Sequence, residues 1–80
     1  MPEEELSSMM AYYKTNDKME TARKMKEAYE KGIYAGRYPN LEVYEFIDGY
    51  GTEMICVVRN ADEKRSLFSS PYCNNIKKLL

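Results

Sequence analysis

A chain of 80 residues, 44% apolar and 31% charged, makes a single domain over residues 1–80 with a thin core, burying roughly 60–65% of the surface its unfolded form exposes. A net charge of −1 leaves no overall field to attract nucleic acid or an anionic membrane. Histidine is absent, which removes the usual general base, metal ligand and near-neutral switch, and two cysteines cannot build a thiolate zinc site; no catalysis, metal or cofactor is expected.

Residues 2–13 read as a first helix. Pro2 suits a first turn, Glu3, Glu4 and Glu5 lie where the helix dipole favours anions, and Leu6, Met9, Met10 and Tyr13 recur at three- and four-residue spacing. This acidic start is unlike a secretory signal, and no apolar run reaches the roughly 20 residues that span a bilayer. A cytoplasmic protein with reduced thiols is expected, without a Cys56–Cys73 disulfide.

Asp17 followed by Glu20 has the form of a capping box, and Met19, Ala22, Met25, Tyr29 and Ile33 continue as a helical stripe to an end near residue 35, with Gly36 as the C-terminal glycine. Lys14, Lys18, Arg23, Lys24, Lys26 and Lys31 interleave with Asp17, Glu20, Glu27 and Glu30 as on a solvated helix face. After Pro39 the period changes to two. Val43, Glu45 and Ile47 share one face of a strand and Glu42, Tyr44 and Phe46 the other. Asp48-Gly49-Tyr50-Gly51 then marks a hairpin turn. The return strand is apolar on both faces from Met54 to Val58, as a central strand reads. Residues 60–64 read as a turn, 65–68 as a short third strand, and the rest as a helix capped by Ser69 or Ser70. The expected fold is α+β with the order α-α-β-β-β-α, a three-stranded antiparallel meander with two N-terminal helices and a short C-terminal helix. Both faces of the sheet need cover, which a homodimer through the second face or a protein partner would supply.

Three motifs bear on function. Ser70-Pro71-Tyr72-Cys73, with Lys77-Lys78-Leu79-Leu80 after it, resembles the C-P-Y-C turn and helix of glutaredoxins. The resemblance covers about a dozen residues and implies that Cys73 holds the resolving position while Ser70 replaces the nucleophile. A helix cap explains the same residues, and thiol-dependent redox activity at Cys73 stands as the alternative function. The order α-β-β-β-α is shared with double-stranded-RNA-binding domains, a second alternative. Yet no Lys or Arg occurs from Leu41 to Val58, so the phosphate contacts of that family have no counterpart. Glu45 and Glu53 face each other across the hairpin as an acid–base pair could, or as charges that keep a sheet edge from pairing.

Eight tyrosines and six methionines are the strongest compositional signal, since both types favour protein interfaces. The expected function is a non-catalytic protein-binding module. Its surface comprises Glu42, Tyr44, Glu45, Phe46, Asp48, Tyr50 and Glu53 of the hairpin with Met9, Tyr12 and Tyr13 of the first helix, and it suits a partner with a basic surface. One form of this is an inhibitor or regulator of a nucleic-acid-binding target, by analogy of size and charge layout with small phage and mobile-element inhibitors such as anti-CRISPR proteins.

Overall fold

A computed structural model of the chain describes residues 9–11 and 17–80. Along them run β1 (Met9–Ala11), α1 (Lys18–Ala28) continued by a π-helical turn (Tyr29–Ile33), β2 (Glu42–Ile47), β3 (Glu53–Val58), α2 (Ala61–Ser69) and β4 (Asn74–Lys78). The strands form one antiparallel sheet in the order β1-β3-β2-β4, and the α+β class and the β2–β3 hairpin match the expectation from sequence.

The cap predicted for the long helix is present: Asp17 Oδ1 accepts from the Glu20 amide at 3.0 Å. Ala22, Met25 and Tyr29 are buried as the stripe requires, but Ile33 is exposed and Tyr34 takes its place in the core. The π-helical turn is the reason. Five residues of α-helix would set Tyr34 about 140° around the axis from Tyr29. Closing the turn with a Tyr34 N–H donated to the Tyr29 carbonyl at 2.8 Å instead brings the two rings to 5.3 Å on one face. The chain then leaves through Ala35 and Gly36, both in left-handed conformation.

Two cores lie on opposite faces of the sheet. Val43, Ile55 and Val57 meet Ala22, Met25 and Tyr29 of α1, with Tyr34 and Leu41. Tyr44, Phe46, Cys56 and Val58 meet Leu67 of α2. Full burial of each aliphatic side chain contributes roughly 1.5–3 kcal/mol, so these few residues supply most of what holds so small a domain. Each face of the sheet thus has a helix packed on it within one chain.

Three expected elements are corrected. Met9–Ala11 is a strand, not part of a helix; the other residues of that expected helix lie outside the described ones. Pairing Met9 with Cys56 and Ala11 with Met54 satisfies backbone groups on the outer edge of β3, which local helix propensity cannot do. Residues 65–68 belong to α2 rather than to a strand. Asn60 caps that helix, its side chain accepting from the Glu63 amide at 2.9 Å, while the Glu63 carboxylate accepts from the Arg59 amide at 2.8 Å. The expected final helix is β4. The chain reverses at residues 70–73, with the Tyr72 amide donating to Ser70 Oγ at 3.2 Å, and pairs along the free edge of β2. That edge continues past the strand, where the Leu79 amide donates to the Val43 carbonyl at 2.7 Å. The strand after the hairpin, β4, therefore lies beside β2 and not β3, so the sheet is not a meander and the α-β-β-β-α order is not formed.

Candidate functional site

Most of the expected hairpin surface is engaged within the fold. Tyr44 and Phe46 are 2% and 4% exposed and belong to the α2-side core, so neither serves as a surface anchor. The alternation of β2 is as expected, but α2 covers the face that carries them. Tyr44 keeps its hydroxyl satisfied by donating to Glu42 Oε1 at 3.1 Å. Glu42 also pairs with Lys78 at 2.9 Å and Lys64 at 3.9 Å, and the Lys78 hydrogen bond is the main cause that lowers its pKa below the usual 4.5.

Glu45 and Glu53 do come together across the hairpin, and Lys18 sits between them, 2.8 Å from one and 3.6 Å from the other. The shared ammonium accounts for the pairing as a structural ion-pair cluster that ties α1 to the hairpin. The two carboxylates do not guard an edge, because β2 and β3 are the two inner strands. Beside them a hollow of about 410 Å³ opens at the bulge between β2 and β4, lined in part by Asn75 and Lys77. Its lining includes no serine, threonine, cysteine or histidine. Asp48 stabilises the turn, its Oδ1 accepting from the amides of Tyr50 and Thr52 at 2.9 Å each.

What remains at the surface is aromatic. Tyr50, at the tip of the turn, is 96% exposed. Tyr72, in the reversal between α2 and β4, is 71% exposed, and its ring lies against Gly49. Asn74 ties the same two loops by donating from Nδ2 to the Ile47 carbonyl at 3.3 Å. Phe68, one residue from the end of α2, is 53% exposed with its ring edge-on to Tyr44 at 5.7 Å. No charged side chain occurs from residue 66 to residue 76 or from 49 to 52, in a chain that is 31% charged. The fold thus joins two uncharged segments, rich in Tyr, Ser, Gly and Asn, into one end of the molecule. Such loops combine rigid rings with adaptable hydrogen bonding, as in binding loops generally. Tyr72 and Phe68 were missed from sequence because both fell in elements assigned to the wrong type. The uncharged run itself was the available signal. Met9, in β1, is partly exposed, and Tyr12 and Tyr13 lie outside the described residues.

Cys73 is half-buried ahead of a strand, so it lacks the helix N-terminus that would favour a thiolate in the glutaredoxin arrangement. Cys56 is buried in β3, and burial first, then the neighbouring Cys73 charge, pushes its thiol up to about 12. Among the described residues no three His, Cys, Asp or Glu side chains converge as metal ligands would, and no helix is long and apolar enough to cross a membrane. The chain matches no protein-family model, and no curated protein or solved structure is significantly similar to it.

Proposed function

We propose that the protein is a small non-catalytic protein-binding module, an inhibitor or regulator that occludes a surface on its target, and that it binds through the end carrying Tyr50 and Tyr72. The observation behind this is the exposure of Tyr50, a ring that the core does not use, held at the tip of a turn fixed by Asp48. A tyrosine placed so gives a large contact area and a hydroxyl while losing little rotamer freedom on binding. In its sharper form the target is a nucleic-acid-binding protein whose basic surface is blocked. In that form the acidic groups of the hairpin, Glu42, Glu45 and Glu53, each within ion-pair distance of a lysine, steer the encounter while the rings make the contacts.

Affinity purification of the tagged chain from nuclease-treated lysate of its own host tests this, run beside the Tyr50→Ala/Tyr72→Ala double variant. One stoichiometric protein retained by the wild type and lost from the variant is the expected result. Recovery of no protein partner, or equal recovery by both chains, would remove this end from consideration.

A further inference from the structure

β4 closes the sheet on its side, and among the described residues only its inner edge is paired. The Leu79 amide points inward, to the Val43 carbonyl at 2.7 Å. Backbone direction alternates along a strand, so Lys78 and Ile76 turn their N–H and C=O groups outward. Another extended backbone matches such a row of donors and acceptors, as in strand addition to a sheet edge. Asn75, with a φ of 52°, bends the start of β4 and leaves residues 76–78 as its straight run.

Charge selects the kind of strand. Lys77 and Lys78 are the only charged residues of β4, both exposed, and no Asp or Glu occurs from residue 64 to residue 80. Glu45, opposite Lys77 in register, is held by Lys18 at 2.8 Å, and Lys77 makes no ion pair among the described residues. Lys78 shares Glu42 with Lys64, two cations to one carboxylate. Glu42, Glu45 and Glu53 all stand on the inner strands β2 and β3. A strand laid on the outer edge meets the lysines as its direct neighbours, about 5 Å away, with β2 one strand spacing beyond. A second copy of β4 would set lysines against lysines, which is destabilising. Lysines on an edge guard it against strand pairing, and an acidic strand is the one that this guard does not repel.

We infer that β4 takes up an extended acidic segment of a partner protein as a fifth strand, with its carboxylates beside Lys77 and Lys78. This site lies apart from Tyr50 and does not rest on the reading above.

The probe is an end-blocked synthetic peptide, Thr-Val-Glu-Val-Glu-Thr, set against its counterpart Thr-Val-Lys-Val-Lys-Thr. Two-dimensional NMR of the labelled full chain follows its amides as each peptide is raised to about 3 mM, a range suited to so short a strand. The expected result is saturable shifts centred on the Ile76 and Lys78 amides with the acidic peptide, slower hydrogen exchange at both, and no shift with the basic peptide. Affinity should fall at least about threefold between about 50 mM and about 500 mM salt. Lys77→Glu, at an exposed side chain without an ion pair, should weaken the acidic peptide at least about tenfold with an unchanged circular dichroism spectrum. The Lys77→Glu/Lys78→Glu double variant should reverse the preference. No shift in β4 up to about 3 mM overturns the inference, as do equal shifts with both peptides, shifts at Met9–Ala11 in place of β4, or indifference to Lys77→Glu. Shifts in β4 that follow protein concentration without peptide would give the edge to a second copy and overturn it too. None of these results bears on capture of a protein through Tyr50 and Tyr72.

Discussion

Lys18 Nζ lies 2.8 Å from Glu45 Oε1, joining the first residue of α1 to the middle of β2 across 27 positions of sequence. Glu53 stands on the other side of the same ammonium, at 3.6 Å. The carboxylates that make the hairpin look like a charged docking site therefore clasp a helix to its sheet. Lys18→Met leaves two carboxylates facing each other without their cation, and we predict a loss of about 1 kcal/mol in urea unfolding. Glu45→Lys should cost at least as much, by setting like charges together. The Glu45 hydrogen bond is the first cause that raises the Lys18 pKa above its ordinary 10.5. A raised cation pKa stabilises the fold below the unfolded value and ceases to do so as pH climbs through the folded one. Wild type should thus lose stability above about pH 10.5, and Lys18→Met should lack this component.

Tyr44 separates packing from binding. Truncating a ring that is 2% exposed removes core volume, and Tyr44→Ala should cost about 3–5 kcal/mol, much of the stability of a domain this size. Tyr44→Phe retains the packing and forfeits the hydrogen bond to Glu42, for about 1 kcal/mol. The lowered Glu42 pKa, caused first by Lys78 and then by Tyr44 against the opposing effect of burial, works in the acid range. Its contribution is present above the usual 4.5 and is lost as pH falls through the depressed value. Lys78→Ala should accordingly flatten the fall in thermal midpoint below about pH 4.5, whereas Tyr44→Phe should flatten it less.

The same cap signature occurs twice in this chain, and only one instance is conspicuous. Asp17 and Glu20 precede a helix with a buried stripe, so cap and period agree. Asn60 and Glu63 have the same spacing, but α2 buries Leu67 alone, and with one apolar anchor its period carries no signal. β4 reads Asn-Asn-Ile-Lys-Lys, a poor strand by composition that forms because β2 has a free edge. Met9-Met10-Ala11 has good helix formers and becomes a strand because β3 has one too. These outcomes depend on partners distant in sequence, which local propensity does not encode. The hairpin and its central strand were legible because alternation and turn glycines are local. So was Tyr50 at the turn tip, whereas Tyr72 was hidden by the helix assigned to its segment.

Asn60 can be tested on that basis. Replacing it with Ala removes the acceptor for the Glu63 amide and should cost about 1 kcal/mol. Glu63→Ala should cost more, because Glu63 also holds Arg59 through an ion pair and accepts from its backbone amide. Arg59 in turn lies over the rings of Tyr34 and Tyr38, 5.4 and 5.5 Å from their centroids, so releasing it loosens the end of the α1 segment as well. Hydrogen exchange that quickens in residues 34–38 of Glu63→Ala, but not of Asn60→Ala, would establish that coupling.

The cysteines give a sharp kinetic contrast. With its thiol pushed up to about 12, Cys56 presents on the order of one thiolate in ten thousand at pH 8, and β3 shields it besides. Cys73 sits half-buried in a turn with a strand behind it and no helix dipole to activate it. Native protein treated with a disulfide reagent should therefore release one equivalent of chromophore, more slowly than free cysteine does, and a second only on unfolding. Cys73→Ser should abolish the first phase and leave the second. A native phase faster than that of free cysteine, removed by Cys73→Ser, would mean that the turn activates its thiol by some route other than a helix terminus. Thiol chemistry would then displace protein binding as the function to pursue, since an activated thiolate in this turn has no structural use.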